Sequence, residues 1–205
     1  MRDESEVWQA LLRRKGLSVT DLAGQLGVTR QHAHRLLTGR RPAETQRAEL
    51  EAALALGSSS GGHPLYAIGE LDENGELDLV PAGDAQPLFA ERDVATGVAQ
   101  ELEPASHQVC VLPVWPAYAW RNLVAFHAAW GAEPETRKLF VVDEAAGDVP
   151  LDAILGEIRA GLEATLRARS QAHDPAFLQE VDSRLSGYTD ARAFPSSSIG
   201  RASGC

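Results

Sequence analysis

The 205-residue chain has only two cysteines, Cys110 and Cys205, and no Cys-x-x-Cys pair. Zinc ribbons and thioredoxin-like redox motifs are thereby excluded. No apolar run approaches the ~18 residues of a membrane span. The opening MRDESEVWQA is acidic and polar and lacks the apolar core of a signal peptide. A cytoplasmic protein is the expectation, and a structural disulfide is not expected in that reducing compartment. No glycine-rich phosphate loop, nucleophile elbow or zinc-binding helix signature occurs in the chain. No catalytic residue, metal or cofactor is expected, and the chain is read as not an enzyme.

Positive charge is also scarce, with 19 Lys+Arg against 29 Asp+Glu and a net charge of −10. That total disfavours contact with phosphate, but its distribution is uneven. Residues 1–57 hold nine basic and seven acidic side chains, whereas 58–205 hold ten and 22. Between 13 and 41 there are seven basic residues (Arg13, Arg14, Lys15, Arg30, Arg35, Arg40, Arg41) and one acid, Asp21. A stretch of that sign attracts phosphate while the rest of the chain repels it.

Punctuation divides the chain. GSSSGGHP, Gly57–Pro64, is rich in Gly and Ser and reads as a flexible linker at 58–63. Before it, residues 1–57 read as all helix. One helix runs from about Ser5 to Arg14. A second follows the N-cap Ser18, with Asp21 completing a capping box, and ends at Gly27. A third follows Thr29 and ends at Gly39, and a fourth runs from near Pro42 to about Leu56. After the linker, residues 64–149 alternate strands and helices, an α/β or α+β domain. LYAIGEL and ELDLVPA flank the turn signal Asn74-Gly75, ERDVATGVAQEL reads as a helix, and QVCVLPV and KLFVVDE read as buried strands. AYAWRNLVAFHAAW reads as a helix with Trp120, Leu123, Val124 and His127 on one face. Two amphipathic helices over 150–190 read as a hairpin whose long first helix either covers the α/β domain or pairs with a second copy, dimerisation being favoured, and 191–205 reads as a disordered tail.

The stretch GLSVTDLAGQLGVTRQHAHRLLTGRRP, Gly16–Pro42, carries the functional signal. Leu22, Leu26, Val28, Ala33 and Leu36 can share a small core, Ala23 is small where two helices cross, and Gly27 allows a tight turn. With Gly16-Leu17-Ser18, Leu22-Ala23, Leu26-Gly27-Val28-Thr29-Arg30 and Gly39 before a basic loop, the segment resembles the phage repressor and Cro-type (XRE-type) helix-turn-helix regulators. The resemblance covers about residues 5–57. Val19 stands where the family usually has a glutamine, and Ala33 where it has a larger aliphatic residue. The resemblance implies that the third helix enters the major groove of double-stranded DNA. It assigns Arg30, Gln31, His34 and Arg35 to base edges, and Ser18, Thr29, His32, Thr38, Arg40 and Arg41 to phosphates.

Other candidates carry less. His32 and His34 lie about 200° apart on a helix, which suits no shared metal. His107, Cys110 and His127 have nothing to bring them together. Asp143-Glu144 read as a solvated strand end, and Trp115, Trp120 and Trp130 as core. The expectation is therefore a sequence-specific transcriptional regulator, a homodimeric repressor. Its C-terminal domain senses a small-molecule or protein effector, or oligomerises. The alternative is a protein-interaction module, such as an antitoxin or adaptor, that binds its partner through residues 64–190.

Overall fold

A computed structural model describes residues 1–38, 43–59, 62–129, 138–142 and 151–172. Among them are seven helices and one mixed sheet of five strands. Residues 1–167 form one compact unit; 168–172, the described end of the last helix, belong to a second.

Helix α1 (Glu4–Arg14) starts where the Asp3 carboxylate accepts the Ser5 N–H at 2.8 Å. Glu4 and Glu6 in its first turn and Arg13 and Arg14 in its last complement the helix dipole. It is followed by α2 (Val19–Gln25), α3 (Arg30–Thr38) and α4 (Glu44–Leu54). The next elements are β1 (Leu65–Leu71), β2 (Leu77–Leu79), β3 (Ala85–Phe89) and α5 (Arg92–Glu101). Then come β4 (Val109–Val114), α6 (Pro116–Ala129), β5 (Lys138–Val142) and α7 (Leu151–Ala172).

Strand β1 is central. Along one side it pairs with antiparallel β4, from Leu65↔Val114 to Glu70↔Val109. Along the other it pairs with β2 at Gly69–Leu71 and with β3 at Tyr66↔Phe89, while β3 continues to parallel β5. Alternation along the strands gives the sheet two apolar faces. Ala67, Leu71, Leu79, Leu88 and Leu112 join a cluster that includes Leu11, Leu22, Leu36, Leu50 and Leu54 of the first four helices and Ala119 of α6. Ile68, Val80, Phe89 and Val109 join Ala95 and Val98 of α5 and Ile158, Leu162 and Leu166 of α7. The helices before Gly57 and the sheet after it thus share one core.

Strand β3 was not expected. Its sequence, AQPLF, contains a proline and a glutamine, and neither favours a strand. Pro87 donates no hydrogen bond, and β3 tolerates it because its pairing with β1 is a single residue pair. The buried line of α6 also differs from the expected face. Ala119, Leu123 and His127 are buried, but Trp120 is 41% exposed. Trp115 is buried as expected. The apolar stripe of α7 is used within the chain, since Ile158, Leu162 and Leu166 are buried against the sheet. Trp130, Asp143, Glu144 and the helix expected after Asp174 lie outside the described residues, as does the tail.

A buried charge network joins the helical layer to the sheet. Glu51 of α4 is 3% exposed. Its Oε2 accepts the Tyr66 hydroxyl at 2.6 Å, and its Oε1 lies 3.1 Å from Arg92 Nε. Arg92 Nη2 donates to Glu4 Oε1 at 2.5 Å, and Arg47 Nη2 donates to both Glu4 oxygens at 2.7 Å. Burial pushes the Glu51 carboxyl above its ordinary value, against the opposing pull of Tyr66, Arg92 and Arg47. Burial and the Glu51 carboxylate push the Tyr66 phenol up.

Removing one partner of such a group strands the others. Glu51→Ala is expected to cost ~3–5 kcal/mol in urea denaturation at neutral pH, and Glu51→Gln clearly less, because the amide still accepts from Tyr66. A carboxyl raised on folding favours the fold fully below its ordinary 4.5, and that contribution is lost as pH rises through the raised value. The wild-type advantage over Glu51→Gln should therefore shrink as pH rises from about 4.5. A growing advantage over that range would contradict the assignment.

Candidate nucleic-acid interface

The site is built from α2, a short turn and α3. Ser18 N-caps α2: its Oγ accepts the Asp21 N–H at 3.1 Å, and the Ser18 N–H donates to Asp21 Oδ2 at 2.8 Å. The Ser18 hydrogen bonds hold the Asp21 carboxyl below its ordinary range. At the other end Gly27 takes φ +64°. The Val28 N–H bonds to the Ala23 carbonyl at 3.0 Å and the Gly27 N–H to the Gly24 carbonyl at 3.3 Å, a Schellman closure. Thr29 then caps α3, its Oγ1 accepting the His32 N–H at 3.2 Å. Two capped helices are thereby set at a fixed turn, with Leu22, Leu36 and Leu37 in the shared core.

Along α3 the exposed and buried residues separate cleanly. Arg30, Gln31, His34, Arg35 and Thr38 are exposed, whereas Ala33, Leu36 and Leu37 are buried and His32 is half-buried. At about 100° per residue the exposed set spans an arc of about 140°, and the other four fill the opposite side. Arg30 and Arg35 make no ion pair to any described residue. The arc therefore presents two arginines, a glutamine and a histidine whose side chains have no hydrogen-bond or ion-pair partner among the described residues.

The remaining residues assigned from the sequence fall elsewhere. His32 turns toward α4, its Nε2 3.3 Å from Gln46 Nε2. The Thr38 hydroxyl donates to the His34 carbonyl at 2.8 Å. Ser18 and Thr29 are exposed but already act as caps. Arg40 and Arg41 lie outside the described residues. Gln46 escaped the sequence reading, because nothing local to α4 signals a partner on α3.

The basic stretch also divides in space. The Arg13 guanidinium packs against Gly75 of the β1–β2 turn. Arg14 Nη1 pairs with Glu76 at 3.5 Å, and Lys15 Nζ donates to the Ala55 carbonyl at 2.8 Å. Partial burial pushes the Lys15 ammonium down. Those three cations are engaged with the chain itself, which leaves Arg30 and Arg35 as the exposed basic residues of the described site.

Among the described residues no group of three or more His, Cys, Asp or Glu could hold a metal ion. Nor is any described helix long and apolar enough to cross a membrane. Cys110 is buried in β4, and desolvation pushes its thiol up to about 12. No protein-family model matches the chain, and comparisons with curated proteins and with solved structures find no match either.

Two glycines in the turn region separate backbone strain from packing. A Cβ would meet nothing within 4 Å at either Gly24 or Gly27, but only Gly27 has positive φ. Gly24→Ala is expected to raise stability by ~0.5–1 kcal/mol through helix propensity. Gly27→Ala should lower it by ~1–2 kcal/mol through the left-handed conformation. Thermal denaturation of the two variants checks both signs, and equal shifts would contradict the described turn.

Proposed function

We propose that residues 5–57 form a helix-turn-helix of the repressor and Cro type and that the chain is a sequence-specific, double-stranded-DNA-binding transcriptional regulator. The observation that carries the reading is the exposed arc of α3, with Arg30, Gln31, His34 and Arg35 together and neither arginine ion-paired to a described residue. Arginine matches the guanine O6/N7 edge and glutamine the adenine N6/N7 edge, which gives such an arc its discriminating power. Ser18, Thr29 and Thr38 lie exposed at helix ends, where phosphate contacts position a helix without specifying sequence. His32, held toward Gln46, braces α3 on α4 in this reading and touches phosphate only through its rim. Arg40 and Arg41 would extend the phosphate contacts.

The acidic balance of the rest of the chain repels DNA, so binding rests on few cations and benefits from pairing. A homodimer on two half-sites about one helical turn apart supplies that gain through effective concentration. The buried stripe of α7 is already spent inside the chain, so the dimer would use another surface. A repressor whose sheet-bearing part senses an effector fits this arrangement, and the role requires no catalysis. A second reading has a specific observation in its favour. Trp120 and Val141 are large apolar side chains 41% and 51% exposed, and an adaptor or antitoxin would use such residues to hold a protein partner.

Selection of bound fragments from a random duplex library, followed by gel shift across a salt series, tests the proposal. Arg30→Ala and Arg35→Ala should each cost ~1–3 kcal/mol of specific affinity. Arg14→Ala should leave specific affinity nearly unchanged, because Glu76 already engages Arg14. Failure to enrich any sequence, or equal losses in all three variants, would overturn it.

A further inference from the structure

Beside the charge network lies a cleft of 130 Å³ bounded by α1, α5 and β4. Its polar wall carries Arg2, Glu4 and Arg92, and its apolar wall carries Val7, Trp8 and Val111. We propose that this cleft binds a small monocarboxylate with a compact apolar body. The spare hydrogen-bonding capacity of the wall is that of a donor. Both Glu4 oxygens are taken, Oε1 by Arg47 and Arg92 and Oε2 by Arg47. Arg92 uses its Nε and Nη2, and Arg2 uses its Nε on the Leu71 carbonyl and its Nη1 near Glu6. No hydrogen bond to a described residue engages Arg92 Nη1 or Arg2 Nη2. A ligand seated there must accept, and a carboxylate accepts most strongly from guanidinium groups.

Size and the opposite wall narrow the class further. A dry cavity of about 150 Å³ accommodates benzene, so this cleft suits a body of ring or branched-alkyl size and no drug-sized molecule. Val7, Trp8 and Val111 are nearly fully buried and form a firm apolar surface for it. The charged groups that face the cleft or its wall are Glu6 on Arg2, Glu51 and Glu4 on Arg92, Arg47 on Glu4, Glu103 on the Met1 ammonium, and Glu70 toward Cys110. With Arg2, Arg92 and the Met1 ammonium counted, acids slightly outnumber cations, so an anion is held by the unused guanidinium edges and not by net charge.

Benzoate is the probe, with benzamide as its neutral counterpart. The readout is the indole resonance of Trp8 in the full chain, assigned from the spectrum of Trp8→Phe. Benzoate should shift that resonance saturably, and benzamide should bind at least about tenfold more weakly. Arg2→Gln leaves the Glu51 network intact and should weaken benzoate binding about tenfold. Thr96→Phe, which fills the cleft from α5, should abolish it. No saturable shift up to ~10 mM benzoate, equal response to benzamide, or wild-type binding by Thr96→Phe would each overturn the proposal. If Thr96→Phe does not fold, the benzoate–benzamide comparison and Arg2→Gln still decide. The titration contains no DNA, so its outcome is separate from that of the DNA-binding reading.

Discussion

Glu51 is a carboxylate inside the protein, and the arrangement of the surrounding elements follows from how its charge is met. Tyr66 of β1 and Arg92 of α5 reach it, Arg92 also reaches Glu4 of α1, and Glu4 is held in turn by Arg47 of α4. Three helices and the central strand are thus tied by one chain of contacts. Taking such charges out of water is costly, and an apolar cluster of similar shape often gives equal or greater stability. The apolar stripe of a helix sets which side faces inward, but does not alone fix its position along the axis. A guanidinium that must meet two carboxylates does, and that fixes the layer on which α3 rests.

What the sequence made legible was mostly local. Asp21 three residues after Ser18, and Gly27 after the last turn of α2, announce a capping box and a left-handed closure, and both are present. Asn74-Gly75 announced the β1–β2 connection, where Gly75 has φ +82°. The regular spacing of Ile158, Leu162 and Leu166 gave α7 as a helix, but could not say whether its stripe met the sheet or a second chain. The partners of charges were not legible. Arg14 and Arg30 look alike in a count of basic residues, yet Glu76 comes to one from 62 residues away and no described acid pairs with the other. Nothing local to α4 marks Glu51 as buried, because the side chains that meet it lie on α5 and β1. Strand β3 was lost because Pro87 argues locally against a strand, and only pairing with the distant β5 outweighs it.

The proposed site depends on that separation of charges. The exposed arc of α3 has a buried opposite side, a capped start and a closed turn behind it, so its side chains are displayed on a rigid support. The cations that pack on the β1–β2 hairpin instead tie α1 to the sheet. An acidic remainder also limits nonspecific attraction to phosphate, so in the proposed reading discrimination would fall to the few residues on the arc.

The central claim is that the α3 arc is the surface that meets DNA. The most direct measurement is a comparison of backbone amide resonances with and without a duplex recovered by selection. The account predicts that the perturbed amides centre on Arg30, Gln31, His34 and Arg35 and on the α2 N-terminus near Ser18, with the sheet strands unchanged. Perturbations centred on the strands or around Trp120, or none at all with a saturating duplex, would contradict it.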